Sequence, residues 1–468
     1  MTGIAETLRG IVGPGGVLET REDCAGYEGD LTKLAGGKVA CVVRPRTVAE
    51  VAAVLAACSA TEDIAVIPRG GGTGLAGGAT PAVDRINVIL SLERMRAVRS
   101  VDPLGNVMIV EAGCSLHDAR AAAAAEGRLL GLDHGGLSSQ IGGNLATNAG
   151  GNNVLRYGMA REQVLGLEVV LADGRVVSQL SPLRKNNAGY DLKHIFLGAE
   201  GTLGVITAAT LRLRPAPQKR ITACIGLPSL DAVLAMFGRT QTALGEAVSA
   251  FEVMSRASLE LYFAHVGKCR EPFDTITPWV VLLEADSASH HFDLDGAGEA
   301  LIAGAMEEEL IVDGTIAANE TQRLSLWGLR EGIPNAMIET AAGLKSDTAV
   351  PIAAIATFDA QARRAVEAVV SGCVPVPFGH VGDGNIHFNV LPPPDMPDEA
   401  FRAQWPALAR AIEDAALALG GTVSAEHGIG LLKRDALRRM RSVAELDVMR
   451  SVKQALDPRN LLNPGKIL

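Results

Sequence analysis

Residues 68–79 read Pro68-Arg69-Gly70-Gly71-Gly72-Thr73-Gly74-Leu75-Ala76-Gly77-Gly78-Ala79. Gly72, Gly74 and Gly77 match the G-x-G-x-x-G dinucleotide fingerprint by letter, but that fingerprint needs a helix opening within it. Here Pro81 follows, and then a strand-like apolar run at 86–92. The pattern is strand, glycine loop, strand, which excludes a Rossmann fold. Consecutive backbone N–H groups in such a loop can form a nest that holds a pyrophosphate without a helix dipole. Six glycines in twelve residues would cost a mere turn much conformational entropy. The loop is therefore read as a place where backbone meets a ligand.

Two more clusters extend the pattern. Residues 135–151 read GGLSSQIGGNLATNAGG, and residues 198–204 read GAEGTLG before another apolar strand. Asn144, Thr147 and Asn148 are neutral donors and acceptors, suited to a ring of mixed hydrogen-bonding character rather than to a bare phosphate. Glycine supplies 52 of the 468 residues, above the average of about 7%. Much of that excess lies in five short windows, the last two at 379–384 and 420–430.

The first 215 residues alternate strands and helices: strands at 39–44, 64–67, 106–111 and 205–213, a helix opened by Thr47 and Glu50 as a capping box, and a hairpin around residues 172–174. Pro215 and Pro217 mark the best boundary. Beyond it helices (230–244, 296–310, 361–370 and 400–419) alternate with strands (221–226 and 279–284). The expected domains are 1–215, 216–424 and a C-terminal segment 425–468. A net charge of −10 sets nucleic acid aside. Cys24, Cys41, Cys58, Cys114, Cys224, Cys269 and Cys373 form a scattered, odd set without C-x-x-C, against a disulfide framework or a cysteine-held cluster. With no signal-peptide pattern and no apolar run long enough to span a membrane, a reducing cytoplasm is expected.

The ordered motifs P-x-G-G-G-T-G, I-G-G-N-x-A-T-N-A-G-G and G-A-E-G-T-L-G resemble the FAD-binding domain of vanillyl-alcohol-oxidase-type flavoproteins. Within it they resemble the D-2-hydroxy-acid dehydrogenase branch, which includes D-2-hydroxyglutarate, D-lactate and glycolate-oxidising enzymes. The resemblance covers nearly the whole chain. It implies an α+β fold: a two-subdomain FAD domain, an α+β substrate (cap) domain and a C-terminal helical segment. It also implies that residues 70–74 cradle the FAD diphosphate, namely Gly70, Gly71, Gly72, Thr73 and Gly74. Ser139, Gly142, Gly143, Asn144, Thr147 and Asn148 line the path to the flavin, and Gly201 and Ile206 meet the adenine end. Pro68, Arg69, Gly78, Gly150 and Asn463 are further cofactor positions. Some relatives carry a first-loop His bonded to flavin; residues 69–74 hold neither His nor Cys, so non-covalent FAD is expected.

Residues 377–390, PFGHVGDGNIHFNV, read as a hairpin with a turn at 382–385. That register sets His380 directly opposite His387, with Asn389 on the same face and Val381, Ile386 and Phe388 on the other. Glu426 and His427 follow in SAEHGIG; adjacent residues of an extended segment point apart, so they should do different jobs. Two His and a carboxylate with an open position suit catalytic zinc, or iron or manganese. The resemblance implies zinc held by His380, His387 and Glu426. It also implies that Arg330 and Lys345 bind substrate carboxylate, for which Arg offers a planar two-pronged grip. Enzymes of the branch acting on 2-hydroxyglutarate carry Thr four residues after that Arg. Here Pro334 stands, which leaves D-2-hydroxyglutarate, D-malate and D-lactate open.

The expected reaction is metal-assisted oxidation of a D-2-hydroxy acid to the 2-oxo acid. His427 takes the hydroxyl proton, Asn389 holds the geometry, and hydride passes from C2 to flavin N5. Electrons then leave to a separate acceptor, an electron-transfer flavoprotein or a quinone, and a homodimer is the expected assembly. Three alternatives remain open: a flavin subunit of glycolate or D-lactate oxidation, a flavin-free metallohydrolase, and a non-catalytic cofactor-binding partner.

Overall fold

Strand Ile64–Arg69 runs into the glycine loop at 70–85 and strand Ile86–Ser91 runs out of it. The two lie side by side and parallel, Val66 opposite Val88 and Ile67 opposite Ile89. Their crossover is the loop itself, with no helix between, as the proline-bounded pattern predicts. The computed structural model describes every residue except Met1, Gly135, residues 268–270 and Ala341; Gly135 of the second glycine cluster and Cys269 thus lie outside the described residues.

The chain divides into two units. The first comprises Met1–Gly151, Gly158–Ala216 and Glu426–Leu468; the second comprises Asn152–Tyr157 and Pro217–Ala425. The short piece Asn152–Tyr157, expected with the first domain, groups with the second for a physical reason. Helix Val154–Tyr157 packs on strand Val248–Ser255, and Arg156 donates to the carbonyl of Asp286 at 2.7 Å.

The first unit holds two sheets. One has the order Val17–Leu18, Val39–Val43, Ile86–Ser91, Ile64–Arg69. The other orders Val98–Asp102, Val107–Glu111, Val205–Pro215, Val164–Val170 and Val176–Gln179. Helix Val48–Ser59 buries Val51, Val54, Leu55 and Cys58 against the shared core. Thr47 caps it by accepting from Glu50 N at 3.1 Å, but the Glu50 carboxylate reaches Arg46 N, so the reciprocal half of the capping box does not form. The C-terminal tail bonds along strand Ile64–Arg69: Val66 N donates to Leu461 O and Asn463 N to Val66 O.

The second unit is built on one antiparallel sheet of seven strands: Asp313–Ile316, Lys219–Leu227, Trp279–Ser287, Val248–Ser255, Val374–His380, Asn385–Leu391 and Thr348–Ala349. Side chains alternate across it. Phe251, Val253, Ile386, Phe388 and Val390 face a core closed by helices Leu230–Leu244, Leu294–Glu307 and Ile355–Val369. Phe358 from the last of these meets Phe388 edge-on at 5.8 Å. Leu282, Met254, Ala250 and Phe378 face a smaller core made with helices Arg256–Val266 and Glu320–Glu339. That second face also carries the polar residues described below. Among the described residues no helix is long and apolar enough to cross a membrane.

Candidate functional site

In the first unit the glycine loops meet backbone to backbone. A Cβ on Gly70 would lie 3.4 Å from Gly143 Cα, and one on Gly71 would lie 2.9 Å from Ser138 O. Gly72 has φ +72°, and a side chain there would strike the Arg69 guanidinium. Among the described residues the N–H groups of Gly71, Gly72 and Thr73 have no acceptor in the protein. Arg69 Nε and Gln140 Oε1, flanking the Gly70 crossing, are buried without a partner. The three backbone donors and the unmet Arg69 Nε fit the anionic diphosphate of FAD, whereas Gln140 Oε1, an acceptor, calls for a donor. Gly201, at φ +70°, packs on Pro68, and Asn463 ties Gly78 O to Glu200 O through its side-chain amide.

Several cofactor positions read from the sequence spend their side chains on the protein. Asn144 Nδ2 donates to Ser139 Oγ at 3.0 Å, Thr147 Oγ1 to Gly143 O, and Asn148 Oδ1 accepts from Arg161 N. These groups shape the helix Ile141–Ala146 and its exit. Gly142 is needed because a Cβ there would meet Ala112 Cβ at 2.7 Å. Gly150 and Ile206 are buried beside them, Ile206 within strand Val205–Pro215.

In the second unit the histidine hairpin has a different register from the expected one. His380 pairs with Asn385 and Phe378 with His387. The turn closes earlier because Gly384 takes the left-handed position at φ +81° and Asp383 accepts from Asn385 N. A slip of two residues keeps every side chain on its face. His380 and His387 are therefore diagonal neighbours rather than opposed, with ring centres 5.6 Å apart. Asn389 shares their face and accepts from Ser346 N at 2.8 Å.

Each imidazole is held from behind. His387 Nδ1 lies 3.3 Å from Ser346 O, and His380 Nδ1 lies 2.7 Å from Glu252 Oε1. A partner on the rear nitrogen is the usual support of a metal-binding histidine. Burial alone would lower the pKa of His380, but Glu252 outweighs it and lifts the imidazole to about 9. Metal binding there would release that proton. Arg330, on helix Glu320–Glu339, donates from Nε to Glu252 Oε2 at 2.8 Å and lies over the Phe378 ring. Burial opposes the charge of Glu252, yet His380 and Arg330 hold its carboxyl below the ordinary range. Pro334 sits inside this helix. Lys345 is an exposed residue between the buried Leu344 and Asp347, and partial desolvation lowers the pKa of its ammonium.

Asp347 is a carboxylate that sequence reasoning missed. It is buried, accepts from Asn385 Nδ2 at 3.2 Å through one oxygen, and from Ser424 Oγ and Ala425 N through the other. Glu426 is covalently the next residue. The stretch that follows is bent rather than extended, correcting the expectation that Glu426 and His427 point apart. His427 Nε2 comes within 3.9 Å of Glu426 Oε1.

Two family models match: the C-terminal domain of FAD linked oxidases over residues 216–467, and an FAD binding domain over residues 39–179. The mitochondrial D-2-hydroxyglutarate dehydrogenase of Bos taurus is 38% identical, over 97% of this chain and 81% of that protein. The D-2-hydroxyglutarate dehydrogenase of Xanthomonas citri pv. viticola is 37% identical, over 91% and 88%. The chain belongs to the FAD-linked D-2-hydroxy-acid dehydrogenases. Solved structures share the fold: p-cresol methylhydroxylase with substrate bound (TM-score 0.79, 17% identity, 100% of this chain and 96% of that one) and the 4-ethylphenol oxidase of Gulosibacter chungangensis (TM-score 0.77, 18%, 100% and 96%). The dehydrogenase is thus an FAD-dependent oxidoreductase that oxidises a D-2-hydroxy acid.

In the dehydrogenase the loop after His427 is clamped by Glu200, from the third glycine cluster. Glu200 Oε1 accepts from Ile429 N at 2.7 Å and Oε2 from Gly430 N at 2.8 Å. It is only 8% exposed and sits at φ +49°, an uncommon conformation for a side-chain-bearing residue. Burial pushes its carboxyl up against these two amides. Glu200→Ala strands two donors at about 1–3 kcal/mol each. It should lower the thermal midpoint by several degrees and slow flavin reduction while FAD stays bound. Calorimetry and anaerobic reduction check this; an unchanged midpoint and rate would contradict it.

Proposed function

We propose that the substrate is D-2-hydroxyglutarate and that a divalent metal, zinc first among the candidates, assists its oxidation. The observation that carries this reading is the polar face of the seven-stranded sheet, where His380, His387, Asn389 and Arg330 lie together. His380 and His387 would hold the metal through their front nitrogens; that of His380, Nε2, lies 3.4 Å from Arg330 Nη2, so the metal would displace the guanidinium from it. Glu426 supplies the carboxylate, delivered by the bond from Ala425 to Asp347 one residue earlier. Asp347, buried beside the strand that carries His387 and bonded to Ala425 N, is a further candidate ligand. The metal supplies Lewis acidity that lowers the pKa of the substrate hydroxyl, and bound FAD supplies the hydride acceptor.

The chain's own residues do the rest. His427 takes the hydroxyl proton. Asn389 fixes the Ser346 loop, and with it the rear support of His387. If a metal took the C1 carboxylate and hydroxyl, Arg330 and Lys345 would be left for a second carboxylate. That favours a dicarboxylate over D-lactate, and relatives named for D-2-hydroxyglutarate support it. FAD is held non-covalently, residues 69–74 offering no His or Cys. Electrons leave to an electron-transfer flavoprotein or a quinone. A homodimer in a reducing cytoplasm is the proposed setting, and the six described cysteines are free and buried.

Anaerobic flavin reduction across D-2-hydroxyglutarate, D-malate, D-lactate, glycolate and the L-enantiomers tests the substrate. D-2-hydroxyglutarate is expected to give the highest kcat/KM, by about tenfold or more for one well-placed charged contact. D-lactate or glycolate reducing the flavin as efficiently would overturn the dicarboxylate assignment.

A further inference from the structure

We propose that Glu252 is a positioning residue that joins the two arms of the site. It fixes which nitrogen of His380 faces the metal and where Arg330 meets the substrate. The inference rests on the metal-assisted function proposed above and deepens it.

Glu252 stands in strand Val248–Ser255 directly opposite His380, and is 1% exposed. Its neighbours Ala250, Phe251, Val253 and Met254 are apolar, so nothing in the local packing calls for a carboxylate. Its two oxygens are divided. Oε1 meets His380 Nδ1 at 2.7 Å and Oε2 meets Arg330 Nε at 2.8 Å. A carboxylate only accepts, so both partners must donate. His380 therefore carries its proton on Nδ1, and Nε2, which lies 3.4 Å from Arg330 Nη2, is left as the acceptor nitrogen that would take a metal once the guanidinium turns to substrate. The same carboxylate anchors the guanidinium, which lies 4.8 Å over Phe378, whose ring is in turn 5.1 Å from His387. One buried side chain thus sets both the metal ligand and the substrate cation.

Glu252→Gln removes the charge and also reverses the hydrogen-bond polarity at His380. Arg330 always donates, so the Gln oxygen must face Arg330 and its amide N–H₂ must face His380 Nδ1. Nδ1 then becomes the acceptor, the ring proton moves to Nε2, and that nitrogen can no longer ligate. Zinc affinity, measured by titration of the FAD-bound protein against a chelating dye, should fall by about 10- to 100-fold, the usual effect of losing such a support. FAD content should be unchanged, and KM should rise as Arg330 loosens. Glu252→Asp, which keeps the charge but is one methylene too short to span both partners, serves where the Gln variant folds poorly; zinc affinity should again fall. Either folded variant binding zinc as tightly as the wild type, with unchanged KM, would overturn the inference alone. A wild-type protein that binds no zinc would overturn both the inference and the function it rests on.

Discussion

His427→Ala is expected to leave FAD bound and to slow flavin reduction by D-2-hydroxyglutarate by about 10²- to 10⁴-fold, the range of a lost general base. The variant isolates the proton-transfer step because the loop carrying His427 is fixed through its backbone. Ile429 N and Gly430 N both bond to Glu200, and Gly428 and Gly430 hold their left-handed turns. None of these contacts uses the imidazole. The FAD cradle proposed at residues 70–74 and 138–143 is built from other segments, so the flavin spectrum should be that of the wild type. Stopped-flow reduction without oxygen gives the rate directly. A variant reduced as fast as the wild type would remove His427 from the base role.

Gly71→Val is expected to give a folded, colourless protein. The Cβ would lie 2.9 Å from Ser138 O and 3.1 Å from Ser139 Cα, and both are backbone atoms with no flexible end to yield. The two loops must part, and the N–H nest of Gly71, Gly72 and Thr73 shifts with the first of them. Overpacking of this kind costs about 1–3 kcal/mol, equivalent to roughly 10- to 100-fold in FAD affinity. Acid precipitation supplies the measurement: wild-type protein should release its flavin to the supernatant, and the variant should have little to release. A variant as yellow as the wild type would show that the cradle lies elsewhere. Colour left in the wild-type pellet would contradict non-covalent binding.

What the sequence made legible followed from local rules. The glycine clusters and Pro81 excluded a helix, and the chain forms parallel strands joined by that loop. The faces of the histidine hairpin were legible because side chains alternate strictly. Its register was not, because Gly382 and Gly384 both offered a turn and only the fold selects Gly384 for the left-handed position. Asp347 and Glu252 were hidden for another reason. Each meets its partners only through tertiary structure: Glu252 meets His380 across 128 positions and Arg330 across 78. The one local signal was a lone carboxylate in an apolar strand. Glu200 lay in plain view within GAEG, but as a neighbour of glycines it read as cofactor scenery rather than as the clamp on the His427 loop. Glu426 and His427 were read as extended, and the positive φ values at Gly428 and Gly430 accompany a bend instead.

Metal assistance is the central claim, and single-turnover flavin reduction tests it most directly. Protein stripped with a chelator, its FAD content verified, is mixed anaerobically with D-2-hydroxyglutarate beside the zinc-restored sample. Loss of the Lewis acid should slow reduction by about 100-fold or more, a few kcal/mol of transition-state stabilisation, and zinc should restore it. Equal rates in the stripped and restored samples, with metal absent by elemental analysis, would contradict the account.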